Sequence, residues 1–183
     1  MLNLFLKILE VRRNTKVLSV FDCEQVSMSD LGRKLQPKIA RLFRGSLAIR
    51  QVDAGSDNAC EQELVALSNA FYDVERFGIH FVASPRHADM LFVTGPVTRN
   101  MAEAVRRAYE ATPHPKFVVA VGDDAIDGGI FKDSYAVVGG VSAVIPVDYV
   151  IPGDLPSPKT ILCHLLHMLD LLESRPPKTT KTK

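Results

Sequence analysis

The chain has 183 residues, 46% of them hydrophobic and 23% charged, with a formal net charge of +1, a balance typical of one globular domain with a complete core. Near-neutral charge without a basic aromatic stripe leaves nucleic-acid binding unsupported, and no run approaches the roughly 20 apolar residues of a membrane span. The charge is segregated, however: residues 1–50 carry ten Lys/Arg against four Asp/Glu, residues 51–173 carry eight against seventeen, and the last ten carry four cations and no acid. Basic flanks of this kind can dock on an acidic partner or an anionic lipid surface.

Cys23, Cys60 and Cys163 are an odd set with no close pair, which points to a reducing compartment rather than a disulfide framework. The opening Met-Leu-Asn-Leu-Phe-Leu lacks the basic lead and small-residue cleavage site of a secretory signal.

In chain order, residues 2–9 place Leu2, Phe5, Leu6 and Leu9 on one side of a short amphipathic segment. Residues 12–46 are basic and punctuated by Gly32, Pro37 and Gly45. They read as an extended arm with one turn of helix near Lys38 to Phe43. From Ser46 short apolar runs alternate with helical stretches, the pattern of β-α-β units around a parallel sheet. Strands are expected over Leu47 to Val52, Ile79 to Ala83, Met90 to Thr94 and Phe117 to Val121, the last buried on both faces. Val144 to Val147 reads as a short strand or extended loop. Helices are expected over Asp57 to Asn69, Thr98 to Ala111 and Pro158 to Glu173. The organisation is thus a segment and arm over 1–45, one α/β domain over 46–173, and a disordered basic tail over 174–183.

Ligand sites in open α/β sheets form beyond the carboxyl ends of the strands. Two loops at such ends, after Val52 and after Val121, are rich in aspartate. No Gly-x-Ser-x-Gly elbow, His-Glu-x-x-His or phosphate-binding loop is present, so an independent hydrolase or nucleotide enzyme finds no support. Cys163, His164 and His167 fall off the main apolar face of the last helix, where solvent or partner contact accounts for them. Asp123 and Asp127 beside a glycine pair lack the ligand pattern of a calcium loop.

Four runs carry a resemblance: Asp53-Ala-Gly-Ser-x-x-x-Cys60-x-x-Glu63; Ser84-Pro-Arg-His-Ala-Asp89 continuing to Thr94-Gly-Pro96; Gly122-Asp123-x-Ala125 followed by Gly128-Gly-Ile-Phe131; and Ile145-Pro-Val-Asp148 to Ile151-Pro-Gly153. Over roughly residues 46–172 the chain resembles the small iron-sulfur subunit shared by respiratory complex I and the membrane-bound, energy-converting nickel-iron hydrogenases. The resemblance implies a flavodoxin-like, doubly wound parallel sheet. It also implies a 4Fe-4S cluster as the family cofactor, and a place in the peripheral arm on the cytoplasmic side of a prokaryotic inner membrane. The implied partners are a large hydrogenase-like subunit and membrane subunits of the same complex.

In hydrogenase-type members the ligand cysteines match Asp57, Cys60, Asp124 and Asp154 here, so three of four are aspartate. Thiolates hold such clusters through soft, covalent bonds that carboxylate oxygens reproduce poorly. The leading expectation is therefore a subunit without a cluster, structural or coupled to ion or proton translocation. The alternative is an electron-transfer subunit with an unusually ligated cluster, and a third reading places a single hard cation at Asp57, Asp124 and Asp154. Glu63 matches the family's acid near the cluster and is the candidate for proton handling. Arg86, His87 and Asp89 match the loop that meets the large partner near its reaction chamber.

Overall fold

A computed structural model describes residues 26–174. The amphipathic segment at residues 2–9, the first part of the basic arm and the tail beyond residue 174 lie outside the described residues.

Five parallel strands form the central sheet: β1 (Leu47–Asp53), β2 (Ile79–Phe81), β3 (Met90–Thr94), β5 (Phe117–Val121) and β7 (Tyr149–Ile151), in the order β2-β1-β3-β5-β7. This is the flavodoxin-like doubly wound arrangement, in which the order reverses beside β1. A small antiparallel pair, β4 (Val97–Thr98) and β6 (Val137–Gly139), lies apart from it. β3, apolar except for Thr94, and the all-apolar β5 occupy the middle because side chains of period two must be buried on both faces there. Met90, Phe92, Val119 and Val121 enter one core, and Leu91, Val93, Val118 and Ala120 the other.

The first core is closed by three helices, α1 (Met28–Phe43), α2 (Ala59–Ala66) and α5 (Pro158–Ser174); the second by α3 (Arg99–Ala111) and the short α4 (Asp123–Asp127). The first of these corrects the sequence reading, since residues 28–43 are helix rather than extended arm. Ser27 caps it by accepting from the Asp30 N–H, and Leu31, Leu35 and Ile39, each four residues apart, are buried. Pro37 lies on the exposed side, where water can satisfy the carbonyl left without its donor. Gly32 is buried against the Phe77 ring, leaving no room for a Cβ. Lys38 reaches Asp170 at 2.5 Å and Glu173 at 2.8 Å, tying α1 to α5.

A second correction concerns the last strand. Residues 141–143 form a 3-10 turn, Val144 to Val147 is loop, the second of the two readings, and the strand falls at Tyr149–Ile151. Pro146 offers no N–H to a ladder, whereas Asp148 sets the register of β7: its N–H donates to Val118 O at 2.9 Å and its Oδ2 accepts from Val118 N at 2.9 Å. Asp89 repeats the device two strands over, with its N–H on Ala48 O at 2.8 Å and its Oδ2 accepting from Ala48 N at 3.0 Å.

Candidate functional site: an acidic pocket at the carboxyl end of the sheet

Loops leaving β1, β5 and β7 converge at one end of the sheet. The β1 loop turns as Asp53 Oδ1 accepts from the N–H groups of Gly55 (2.8 Å) and Ser56 (2.9 Å). It is pressed against the chain after β3, because a Cβ on Gly95 would lie 2.5 Å from Ser56 and one on Gly55 would collide with Thr98. Asn58 then takes φ +75°, Asp57 Oδ1 accepts from Ala59 N at 2.9 Å, and α2 begins with Cys60 in its first turn.

The β5 loop comes close enough to touch that cysteine. A Cβ on Gly122 would stand 2.6 Å from Cys60 Sγ, and its φ of +90° favours glycine as well. Asp123 brackets the β5 and β7 loops, its N–H donating to Gly153 O at 3.0 Å while its Oδ1 accepts from Gly153 N at 2.8 Å.

Between these loops lies a pocket of about 460 Å³, lined by the carboxylates of Asp57, Asp123, Asp124, Asp127 and Asp154. Its remaining wall includes Ile126, Ile130 and Phe131. Crowding of like charge has an electrostatic consequence. Burial, and then the charges of Asp154 and Asp57, raise the Asp124 carboxyl above its ordinary range. Burial, and then Glu61, Asp57, Asp124 and Asp154, push the Cys60 thiol up to about 12. At neutral pH the one sulfur beside the pocket is therefore a protonated thiol and a poor nucleophile. One thiol with several carboxylates does not fit a four-thiolate iron-sulfur cluster.

The structure places Asp57, Asp124 and Asp154 around one pocket with Cys60 beside it, the four positions that the resemblance singled out. Glu63 is half-buried on α2. Arg86 and His87 are exposed in a 3-10 turn at the amino end of β3. That is the far end of the strand from the pocket, about 13 Å away for four steps. Asp89, beside them, spends its carboxylate on Ala48 N. The short β2–β3 connection sets this loop at the amino edge of the sheet.

Sequence reasoning missed two residues. Asp123 works as a clamp between loops, and no local pattern announces a bond to Gly153. Glu61 is 7% exposed, with both carboxylate oxygens buried and without a hydrogen-bond partner. Its three-residue spacing to Leu64 and Leu67, both buried, was the available signal. Cys163 is likewise buried on α5, at 4% exposure, rather than off its apolar face. The Tyr149 hydroxyl lies 3.1 Å from His164 Nδ1 and 2.9 Å from His167 Nδ1.

A flavodoxin-like sheet whose carboxyl-end loops gather around one cysteine defines the class: the small-subunit fold of hydrogenase-type redox assemblies. Residues 58–168 match the family described as the NADH ubiquinone oxidoreductase 20 Kd subunit, and the chain belongs to that family. It is 42% identical over 149 residues to formate hydrogenlyase subunit 7 of Escherichia coli, covering 81% of this chain and 57% of that protein. It is 42% identical over 143 residues to a probable membrane-bound hydrogenase subunit of Pyrococcus furiosus, covering 76% of this chain and 86% of the relative. An uncharacterized Methanocaldococcus jannaschii protein is 46% identical over 143 residues, covering 78% and 96%. Among solved structures, a chain of the membrane-bound sulfane sulfur reductase, an archaeal respiratory membrane complex, superposes with a TM-score of 0.63 at 30% identity, over 81% of this chain and 77% of that one. Among the described residues no helix is long and apolar enough to cross a membrane.

Proposed function

We propose that the chain is a peripheral subunit of a membrane-bound assembly related to complex I and the energy-converting hydrogenases, and that it works there without an iron-sulfur cluster. It sits against a large hydrogenase-like subunit on the cytoplasmic side of a prokaryotic membrane and links it to the membrane subunits. Its similarity to hydrogenase and sulfane sulfur reductase subunits supports the setting.

The observation that carries the cluster-free reading is the donor set: Asp57, Asp124 and Asp154 face one pocket beside a thiol pushed up to about 12. In place of an electron relay the site offers exchangeable protons. Asp124 is the group held above the ordinary carboxyl range by burial and by its acidic neighbours. Half-buried Glu63, one helical turn beyond Cys60, is our candidate for passing a proton on.

Iron and acid-labile sulfide in the purified complex, assigned by subunit, test the reading. No iron or sulfide is expected on this chain. Stoichiometric iron and sulfide with a reducible paramagnetic signal, lost in Cys60→Ala, would establish the electron relay instead.

A further inference from the structure

A second concavity, of about 500 Å³, opens at the amino end of the sheet, away from the acidic pocket. Leu42, Phe43, Phe117 and Leu172 line it, and each packs on the first core while staying half-buried. Phe43 and Phe117 meet edge to face, with ring centroids 6.3 Å apart. The exposed loop 113–115, which leads into β5, forms the rim. The two ionised side chains in the lining, Arg44 and Asp89, are opposite in sign, so apolar contact rather than net charge decides what the groove takes.

The chain itself leads to this groove. α5 ends at Ser174, two residues past Leu172, and Arg175-Pro176-Pro177-Lys178 follows at once. At about 3.1 Å per residue in the polyproline II conformation that consecutive prolines favour, both proline rings come within about 10 Å of Ser174. Proline-rich segments dock on aromatic-lined grooves in just this conformation. The flanking cations fit as well, because α1 and α5 end here side by side, joined by Lys38 and Arg41 to Glu173, and helix carboxyl ends favour positive charge. Residues 1–25 are placed less well: they join α1 at its other end, 16 residues away, a distance of about 24 Å. A second copy would have to bind from solution, whereas a tethered segment acts at an effective concentration in the millimolar range.

We propose that residues 175–178 dock in this groove, with Pro176 and Pro177 against Phe43, Phe117 and Leu172, so that the tail is a strap over the amino end of the sheet. The strap ties α5 to α1 and to the loop before β5, and a partner that docks on this face must first displace it. The docking is a property of this chain alone and does not depend on the assembly described in the preceding section.

Hydrogen–deuterium exchange, read by peptide mass spectrometry on the full-length chain, on a variant ending at Ser174 and on Pro176→Ser/Pro177→Ser, tests it. Over residues 42–46 and 112–117 both variants are expected to exchange about fivefold faster, or more, than the full-length chain, with β3 unchanged. Should the truncated chain fail to fold, the double serine variant decides by itself. Equal exchange in variant and full-length chain overturns the proposal. So does acceleration spread evenly over the whole chain, β3 included, which marks a general loss of stability. Protection in the full-length chain that falls on dilution assigns the groove to a second copy. Protection lost on deleting residues 1–25, with the tail intact, assigns it to the amino-terminal segment, and protection found only in a purified complex assigns it to a partner. Each of these three results also overturns the proposal.

Discussion

The two ends of the sheet use the same residue type for opposite purposes. At the amino end, Asp89 and Asp148 each place a carboxylate on the backbone N–H of the neighbouring strand, at 3.0 and 2.9 Å. At the carboxyl end, Asp57, Asp124 and Asp154 line one pocket, where burial and then the charges of Asp154 and Asp57 raise the proton affinity of the Asp124 carboxyl. A carboxylate matched to a fixed donor holds the fold together, and one matched chiefly to its own kind waits for a proton or a cation. Asp123 is a clamp even at the carboxyl end, its Oδ1 accepting from Gly153 N at 2.8 Å, so what lies opposite the carboxylate, rather than residue identity, decides which of the two an aspartate does.

The comparison is sharpened most strongly at Cys60. With a pKa of about 12 in place of 9.0, its thiolate fraction at pH 8 falls about a thousandfold. Alkylation by iodoacetamide in the folded chain is expected to be slower than in urea by a comparable factor, and a rate within tenfold of the unfolded chain would refute the crowded-charge picture. The folded state keeps this proton longer than the unfolded one. Stability is therefore expected to decline as pH rises from 9 toward 12, and the decline should be shallower in Cys60→Ala, where Tyr149 and Lys38, both raised above their ordinary values, still contribute.

Gly122→Ala comes next. The new Cβ meets Cys60 Sγ, and the backbone sits at a φ of +90°, so a loss of about 2–3 kcal/mol in urea unfolding is expected. Pairing it with Cys60→Gly should recover part of that loss, because the clash goes and the backbone penalty stays.

At the amino end, Asp89→Ala and Asp148→Ala each strip a donor of its acceptor, and each is expected to cost about 1–3 kcal/mol. If both prove neutral, the contrast between the ends fails.

The smallest effect is expected for Asp124→Asn. Because the folded carboxyl titrates above 3.8, the native state binds more protons than the unfolded state just above that pH, and wild-type stability falls as pH rises through the window. The amide removes that slope and raises stability at pH 7 by less than about 1 kcal/mol. Parallel pH profiles for the two proteins would break the assignment.

How much of this was legible in the sequence depends on whether the cause was local. Met90 to Thr94 and Phe117 to Val121 were read to the residue, because burial on both faces of a parallel sheet leaves an unbroken apolar run. The helix over residues 28–43 was lost to its own punctuation: Gly32 and Pro37 read as breakers, although Leu31, Leu35 and Ile39 carried the helical period. Gly32 is there to admit the Phe77 ring, a contact 45 positions away that no local rule contains. The three aspartates of the pocket were legible through resemblance. The Asp123 clamp on Gly153 and the buried Glu61 were not, since each is defined by what lies opposite it in space.

The single direction shared by all five strands has one more effect. Every loop that leaves a strand opens at one pole and every loop that enters opens at the other, so residue choices in the two sets of loops add up rather than cancel. Five aspartates gather at the exit pole, while Arg44 and Lys116 stand at the entry pole, just ahead of β1 and β5. Among the described residues the exit pole thereby concentrates negative charge, whereas at the entry pole Asp89 and Asp148 offset Arg44 and Lys116. In the field of a charged neighbour the chain would turn before it touches, arriving with the acidic pole toward positive charge.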